Sequence, residues 1–440
     1  MPGCHIWDLP PDLSAEWRAF TEFQVHSLCS KVEHQIAAVR EVDNRRGILV
    51  DRKASSWATE SLFPVLAADG SAALKNEGSP SFYDVALRTM GRQLGVPYVQ
   101  ELHIQLPVSR SVVDATYFRG GYSGNGVFWL ARWTPKQLSH PSPARGGIFK
   151  KVPDIVRDYL PSVHSEWDEF VAAPKPPEPD VLVFGSRASD FLGQMRRGIF
   201  HDIDGIAEFS GLFRRWQVPA HMATEYSPWV NLRDFKLVFA CGRILTEPAV
   251  DRLVEYARGG GHLVLIGEVG RYTAGRDERN LLQARLEGCP HVRSIPSAGN
   301  QPLGYNEIRV VEDVDDLLGW AGAGRPVRVT SDAEYGFEVL TRGTGNRLYI
   351  AAMRRWEGRA SAVYKRDEAL EKYGHAAGMV HLNNVPADSK WKVEKFFRDK
   401  KDVGIVSSEQ GTLRFQLDPA EAGEVQLFRL TRDRRGDKKP

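Results

Sequence analysis

Apolar positions in the first 172 residues follow two rhythms. From Ser14 to Arg40 the residues Trp17, Phe20, Leu28, Val32, Ile36 and Val39 return at helical spacing, and Ser14 offers a capping hydroxyl. Short apolar runs then occur at Gly47–Val50, Ser71–Gly78, Val96–Leu106 and Asn125–Trp133, each reading as a strand. Between and after them lie helical stretches over Ser81–Leu94, Ser109–Phe118 and Val152–Val171, the first stopped by Gly95. Strands alternating with helices predict parallel βαβ units. The strands are apolar on both faces, which suits a sheet covered on both sides. Four such units do not make a closed domain. They leave two sheet edges with unpaired backbone groups, which invite association.

The Pro-rich run Ala173-Pro-Lys-Pro-Pro-Glu-Pro-Asp180 marks the clearest boundary. A second α/β region follows. Its strands are Asp180–Phe184, Val218–Ala223, Phe235–Ala240 and His262–Ile266, and its helices lie near Asp204–Trp216 and Glu247–Arg258. Gly259-Gly-Gly261 ends the second helix and turns into the next strand. From Arg325 the pattern shortens to alternating strands at Val327–Thr330, Gly336–Thr341, Arg347–Ala352, Thr412–Leu417 and Glu424–Leu430. This predicts an antiparallel β-sandwich interrupted by a charged, irregular insertion from Glu357 to Lys401. The expected domains are 1–172, 178–325 and 326–440.

The strand with candidate chemistry is the third. Side chains alternate along it, so Val99, Glu101, His103 and Gln105 share one face, which turns polar from Glu101 onward. Polar residues toward the C-terminal end of a parallel strand stand where α/β folds bind ligands. Glu101 is therefore a candidate catalytic carboxylate; a half-exposed strand facing water is the plain alternative. Trp129 and Trp133 share a face of the fourth strand and could stack on a sugar or simply pack.

Composition narrows the field. The 58 basic and 56 acidic residues give a net charge of +2, so no polyanion-binding surface or nucleic-acid partner is indicated. Cys4, Cys29, Cys241 and Cys289 form no CxxC pair, so neither a zinc site nor a disulfide framework is expected. No metal or cofactor motif occurs. Cys241 sits in Phe-Ala-Cys-Gly-Arg, where a nucleophile elbow would need Gly-x-Cys-x-Gly, so an inert thiol is expected. No run approaches 18 apolar residues, and a soluble cytoplasmic protein is the expectation.

The three-part order resembles glycoside hydrolase family 42, the beta-galactosidases. Val99-Gln-Glu-Leu-His-Ile-Gln-Leu-Pro107 is similar to the family's seventh barrel strand, whose Glu is the nucleophile. Gly124-Asn-Gly-Val-Phe-Trp-Leu-Ala-Arg132 is similar to strand eight, with Leu130-Ala131 where the family usually has Gln-Trp. Trp17, Phe20 and Gln24 look like the helix before strand five. Asp234–Phe239 and Glu255–Val264 resemble the middle domain associated with trimer formation.

The resemblance implies a fold: the C-terminal half of a (β/α)8 barrel, a flavodoxin-like α/β domain, then a β-sandwich. It also implies a retaining hydrolase of β-galactosides or related glycosides, with Glu101 as nucleophile and His103, Trp129, Arg132 and Trp133 near the sugar. The family's acid/base is the Glu of an Asn-Glu pair on strand four, which has no counterpart here. Asn76-Glu77 falls in the place of strand six and is read as a turn after a strand. The expected partners are thus a carbohydrate, a second chain bringing strands one to four, and further copies of this chain through the middle domain. The rival reading is a non-catalytic scaffold or carbohydrate-binding relic.

Overall fold

A computed structural model describes residues 15–52, 59–77, 90–104, 110, 114–115, 118, 127–131, 160–174, 178–189, 213, 216–274, 280–295, 314–333, 336–355 and 374–433. The chain divides into two compact units. One gathers Met1–Glu77, Ser81–Val99 and Pro179–Gly324; the other gathers Gly78–Pro80, Gln100–Glu178 and Arg325–Pro440.

The first unit opens with helix α1 (Ala15–Val42). Among its described side chains Val32 and Ile36, one turn apart, are buried, while Phe23 and Val42 stay exposed. Strand β1 (Ile48–Arg52) follows. A short 3-10 turn, Thr59–Leu62, leads into α2 (Phe63–Asp69), then β2 (Ala72–Glu77) runs parallel to β1 with Ile48 level with Ala72. Pro64 stands in the first turn of α2, where a missing N–H costs nothing. Gly70, at φ 74°, ends that helix with its N–H on the Leu66 and Ala67 carbonyls, a geometry open mainly to glycine. The stretch 59–69 reads as irregular in sequence because it offers only two short turns of structure.

Arg40 closes this region. Its Nε donates to Asp69 Oδ1 at 2.7 Å and its Nη2 to Asp69 Oδ2 at 2.8 Å, a two-point clamp from the end of α1 to the end of α2. The hydrogen bond from Arg40 holds the Asp69 carboxyl at about 2, against the upward push of burial.

Strand β3 (Tyr98–Ile104) adds beside β2, where the Leu74 N–H donates to the Pro97 carbonyl at 3.0 Å. With β4 (Val127–Ala131) the sheet runs β1-β2-β3-β4, in chain order. The boundary between the two units falls within β3, after Val99.

Beyond helix α3 (Leu160–Ala172) come β5 (Val181–Gly185), β6 (Ala220–Thr224), β7 (Leu237–Ala240), β8 (Ile244–Thr246), helix α4 (Glu247–Arg258), β9 (His262–Ile266), β10 (Tyr272–Ala274) and β11 (Val292–Ile295). Five of these strands form a parallel sheet in the order β11-β9-β7-β5-β6, so the winding reverses between β5 and β7. Strands β5 and β7 are buried at every position, as a sheet covered on both faces requires. Four of the five were legible as apolar runs; β11, Val-Arg-Ser-Ile, carries too few apolar residues to announce itself. One hydrophobic core joins Val32, Leu62, Phe63 and Leu74 to Val183, Phe239 and Leu253.

In the second unit, two antiparallel sheets are built from β12 (Val327–Thr330), β13 (Phe337–Thr344), β14 (Arg347–Arg354), β15 (Ala376–Leu382), β16 (Lys390–Lys395), β17 (Lys401–Ser407), β18 (Leu413–Ala420) and β19 (Val425–Asp433). Their orders are β12-β15-β18 and β13-β14-β19-β16-β17. Trp391, Phe415, Phe428 and Leu430 lie in the core they share. Glu169 of α3 gathers Arg429 at 2.9 Å, Arg347 at 3.1 Å and the Tyr349 hydroxyl at 3.1 Å, tying the helix to β14 and β19.

One expectation is corrected. The stretch Glu357–Lys401 is not an irregular insertion throughout, because β15 and β16 lie inside it and β17 starts at its end. In β16, buried Trp391 and Val393 alternate with the outward Lys390 and Lys392. The lysines hide a period-two strand behind a charged composition.

The Arg40–Asp69 clamp sets an acid response. Asp69 is held below its ordinary value, so its contribution to stability is present above about pH 3.8 and is lost as pH falls through about 2. Asp69→Asn should lower the melting temperature at pH 7 by about 2–4 °C. Melting curves of wild type and variant should converge toward pH 2, and a gap that stays constant with pH would remove the clamp from the account.

Candidate functional site

Two places in the structure set candidate residues on, or directly after, parallel strands. The first is the β3–β4 pair of the second unit. Glu101 lies level with Phe128 and His103 with Leu130, while Trp129 lies level with Leu102, one residue out of phase with Glu101. Glu101 and His103 are two apart and share one phase of the pleat. Arg132 and Trp133 lie outside the described residues, as do the rest of the predicted strand end at 105–107 and the predicted helix 204–216 apart from 213 and 216. Glu77 is the last residue of β2, so the Asn76-Glu77 pair ends a strand.

The second place is the winding reversal of the five-stranded sheet, in the first unit. The chain leaving β5 is Ser186-Arg187-Ala188-Ser189 and the chain leaving β6 is Glu225-Tyr226-Ser227. Glu225 turns its carboxylate onto the first of these. Its Oε2 accepts the Arg187 N–H at 2.9 Å, and its Oε1 accepts the Ala188 N–H at 2.7 Å and the Ser186 hydroxyl at 3.3 Å. Part of the residue reaches the surface, yet its carboxyl is densely surrounded. That desolvation pushes it up to about 7, against the pull of the backbone donors; the negative charge of Glu60 adds to the rise.

Glu60, in the turn before α2, is buried with the Arg187 side chain: Nε of Arg187 lies 3.3 Å from Oε1 of Glu60. The Thr224 hydroxyl donates to the same Glu60 oxygen at 3.0 Å. Arg252 of α4 donates to the Val230 carbonyl at 2.6 Å and the Thr224 carbonyl at 3.4 Å, and its guanidinium lies over the Phe184 ring. Burial lowers its pKa, while Glu225 raises it. Burial likewise pushes the Tyr226 phenol up, with Glu225 and Glu60 adding to it. Sequence reasoning missed this cluster, since its members are spread from 60 to 252. Its one readable sign was a polar run immediately after the fully apolar strand β5.

Cys241 follows β7 directly and is buried, its Sγ 3.5 Å from the Phe184 carbonyl. Gly242 has φ 110°, and a Cβ there would strike Ser186 Cβ. The bend therefore belongs to the glycine and not to the cysteine. A nucleophile elbow instead places its strained residue at the nucleophile. Among the described residues no group of three metal-ligating side chains gathers.

No family model matches the chain, and no curated protein does. Solved structures do. A catalytic mutant of Gan42B, a GH42 beta-galactosidase from G. stearothermophilus, superposes with a TM-score of 0.58 at 12% identity, over 95% of this chain and 68% of that one. A beta-galactosidase from a Rahnella species gives 0.59 at 11% identity, over 94% and 68%. An exo-carrageenase of GH42 from Bacteroides ovatus gives 0.56 at 10%, over 94% and 56%.

The chain has the fold of the GH42 enzymes. It spans about two thirds of the length of the beta-galactosidases and somewhat more than half of the carrageenase. Its parallel α/β sheets and C-terminal antiparallel sheets are those of the GH42 fold. Among the described residues no helix is long and apolar enough to cross a membrane.

The bend after β7 separates two neighbouring residues by their roles. Cys241→Ala should leave oligomeric state and any hydrolytic activity unchanged. Gly242→Ala should destabilise by about 1–3 kcal/mol, since it combines a left-handed φ with a clash. Urea unfolding of both variants tests this, and an equal or larger loss for Cys241→Ala in activity would give the thiol a role.

Proposed function

We propose that this chain is the greater part of a retaining glycoside hydrolase acting on β-galactosides or related β-glycosides. The observation that carries the reading is the GH42 likeness over 93–95% of the chain, with Glu101 on the third strand of its parallel sheet. In this reading the β1–β4 sheet is strands five to eight of a (β/α)8 barrel. The five-stranded sheet is a flavodoxin-like domain through which copies of the chain assemble.

A retaining glycosidase works with two carboxyl groups about 5–5.5 Å apart. Glu101 takes the nucleophile's part. Ionised, it attacks the anomeric carbon and forms the glycosyl-enzyme ester as the leaving oxygen departs. The second carboxyl gives that oxygen its proton, then takes one from water as water displaces Glu101. His103 and the segment 129–133 are the candidates for contacts to the sugar. The second carboxyl is assigned to a half-barrel carrying strands one to four, on a second chain or on an upstream part of the same one. Without it, activity drops by about 10² to 10⁴, the usual worth of a general acid.

The rival reading, a non-catalytic scaffold or carbohydrate-binding relic, predicts no activity in any assembly. Residues 1–440 alone should be nearly inert and should associate through the sheet edges at β1 and β4. Co-expression with a half-barrel chain bearing an Asn-Glu pair should restore turnover of an aryl β-galactoside. In that assembly Glu101→Gln should abolish turnover with folding intact. Retention of more than about 10% of the rate would exclude a nucleophilic role, because losing a nucleophile costs orders of magnitude. A well-folded, non-associating monomer would count against the partner half-barrel.

A further inference from the structure

The cluster at the winding reversal of the five-stranded sheet has no part in the glycosidase reading. Its composition is nevertheless unusual for a packed core. Glu60 is fully buried, Arg187 nearly so, and a second carboxylate, Glu225, leans on the same loop. Burying an ion pair costs several kcal/mol per ion before attraction offsets it, so such clusters are weak sources of net stability. They do make a contact conditional on the charge state of its members.

The geometry also removes a bland alternative. In doubly wound sheets a ligand binds at the winding reversal, outside the carboxyl ends of the strands. Here the chain fills that place itself: the Arg187 and Ala188 N–H groups that would meet an anion already meet the Glu225 carboxylate. Ser186 and Ser189 close it further through the Ile244 carbonyl and N–H. The reversal is plugged from within.

What the plug touches gives it a use. Through Arg187 and Thr224 it reaches Glu60, the anchor of the turn Thr59–Leu62 that leads into α2 and β2. We propose that the Glu60–Arg187–Glu225 cluster is a proton-controlled joint, which holds the 59–69 segment to the five-stranded sheet when Glu225 is protonated and loosens it when Glu225 ionises.

The groups facing Glu225 are Glu60 from the turn before α2, Arg187 from the loop after β5, Tyr226 from its own loop and Arg252 from α4. Glu22 of α1 reaches the set through Tyr226. Neutral Glu225 leaves the Arg187–Glu60 ion pair without a second negative charge beside it. Ionised Glu225 adds a second negative charge near Glu60, and the two carboxylates repel. The folded-state value is raised, to about 7 from 4.5, so the stability the joint supplies is full below about pH 4.5 and is lost as pH rises through about 7.

The test is amide hydrogen exchange of the full chain at residues 59–77 between pH 5.5 and 8.5, corrected for intrinsic rates. Wild type should lose about tenfold protection across that range, the measure of a tenfold change in an opening equilibrium. Glu225→Gln should show a flat profile at the protected level. Exchange in wild type that does not change with pH, or the same change in Glu225→Gln, would overturn the proposal. A carbon-13 titration of the Glu225 carboxyl in the wild-type chain gives a second readout should the variant fold poorly. A midpoint near 7 that falls in Glu60→Gln supports the joint, and a midpoint below 5 refutes it.

Discussion

A parallel strand cannot reach its neighbour by a tight turn, so every connection must cross a face of the sheet. That constraint governs the first unit. Strands β5 and β7 are apolar at every position and must be covered on both sides. The cover comes partly from local helices, as α4 does with Val250, Leu253 and Val254. The same core extends to Leu62 and Phe63, more than a hundred residues away in sequence. Burial of apolar area is roughly proportional to the surface removed from water, so these distant residues are as much a part of the sheet's stability as its own helices. A change at Phe63 is thus a change to the five-stranded sheet. Gly91 shows how tight the fit is, since a Cβ there would meet the Phe63 ring at 2.5 Å.

Much of the architecture was legible because that constraint writes itself into composition. The uninterrupted runs Val-Leu-Val-Phe and Leu-Val-Phe-Ala have one good explanation, a strand buried on both faces. Turn chemistry marked the helix ends, as at Gly259-Gly-Gly261. What escaped was structure whose signal is shared between chemistry and periodicity. Strand β16 alternates correctly, but three lysines in six residues made it look like a charged loop. Strand β11 sits at the sheet edge, exposed at Ser294, and carries a polar pattern to match. The turn at 59–62 is recognisable only from its partners.

The candidate sites divide in the same way. Glu101 stood out because an acidic residue interrupts an apolar strand, which is a local pattern. Its proposed role came from family resemblance, not from spacing. The buried cluster around Glu225 has no local pattern at all. Glu60, Arg187 and Arg252 are ordinary charged residues in sequence, and each is unusual only in being enclosed with the others. Sequence periodicity reports which face of an element is wet; it does not report which two wet-looking residues will be buried together.

The two places are linked by one physical requirement. The proposed role of Glu101 and the cluster at Glu225 both turn on how many carboxyl groups share a small volume and on which of them is charged. Retaining glycosidase chemistry needs one carboxyl held protonated about 5 Å from another that stays ionised. Near the winding reversal the chain already holds two carboxyls in one enclosed region, and the outcome is a raised Glu225 beside an arginine-paired Glu60. That arrangement sets a carboxyl whose ionisation burial disfavours beside an arginine-paired one, as an acid/base pair would. It lacks the chemistry, since Glu225 spends its oxygens on backbone N–H groups and Glu60 spends one on Thr224. A carboxyl can give a proton to a substrate only if its oxygens are free to face one. The distinction tells a structural pair from a catalytic one.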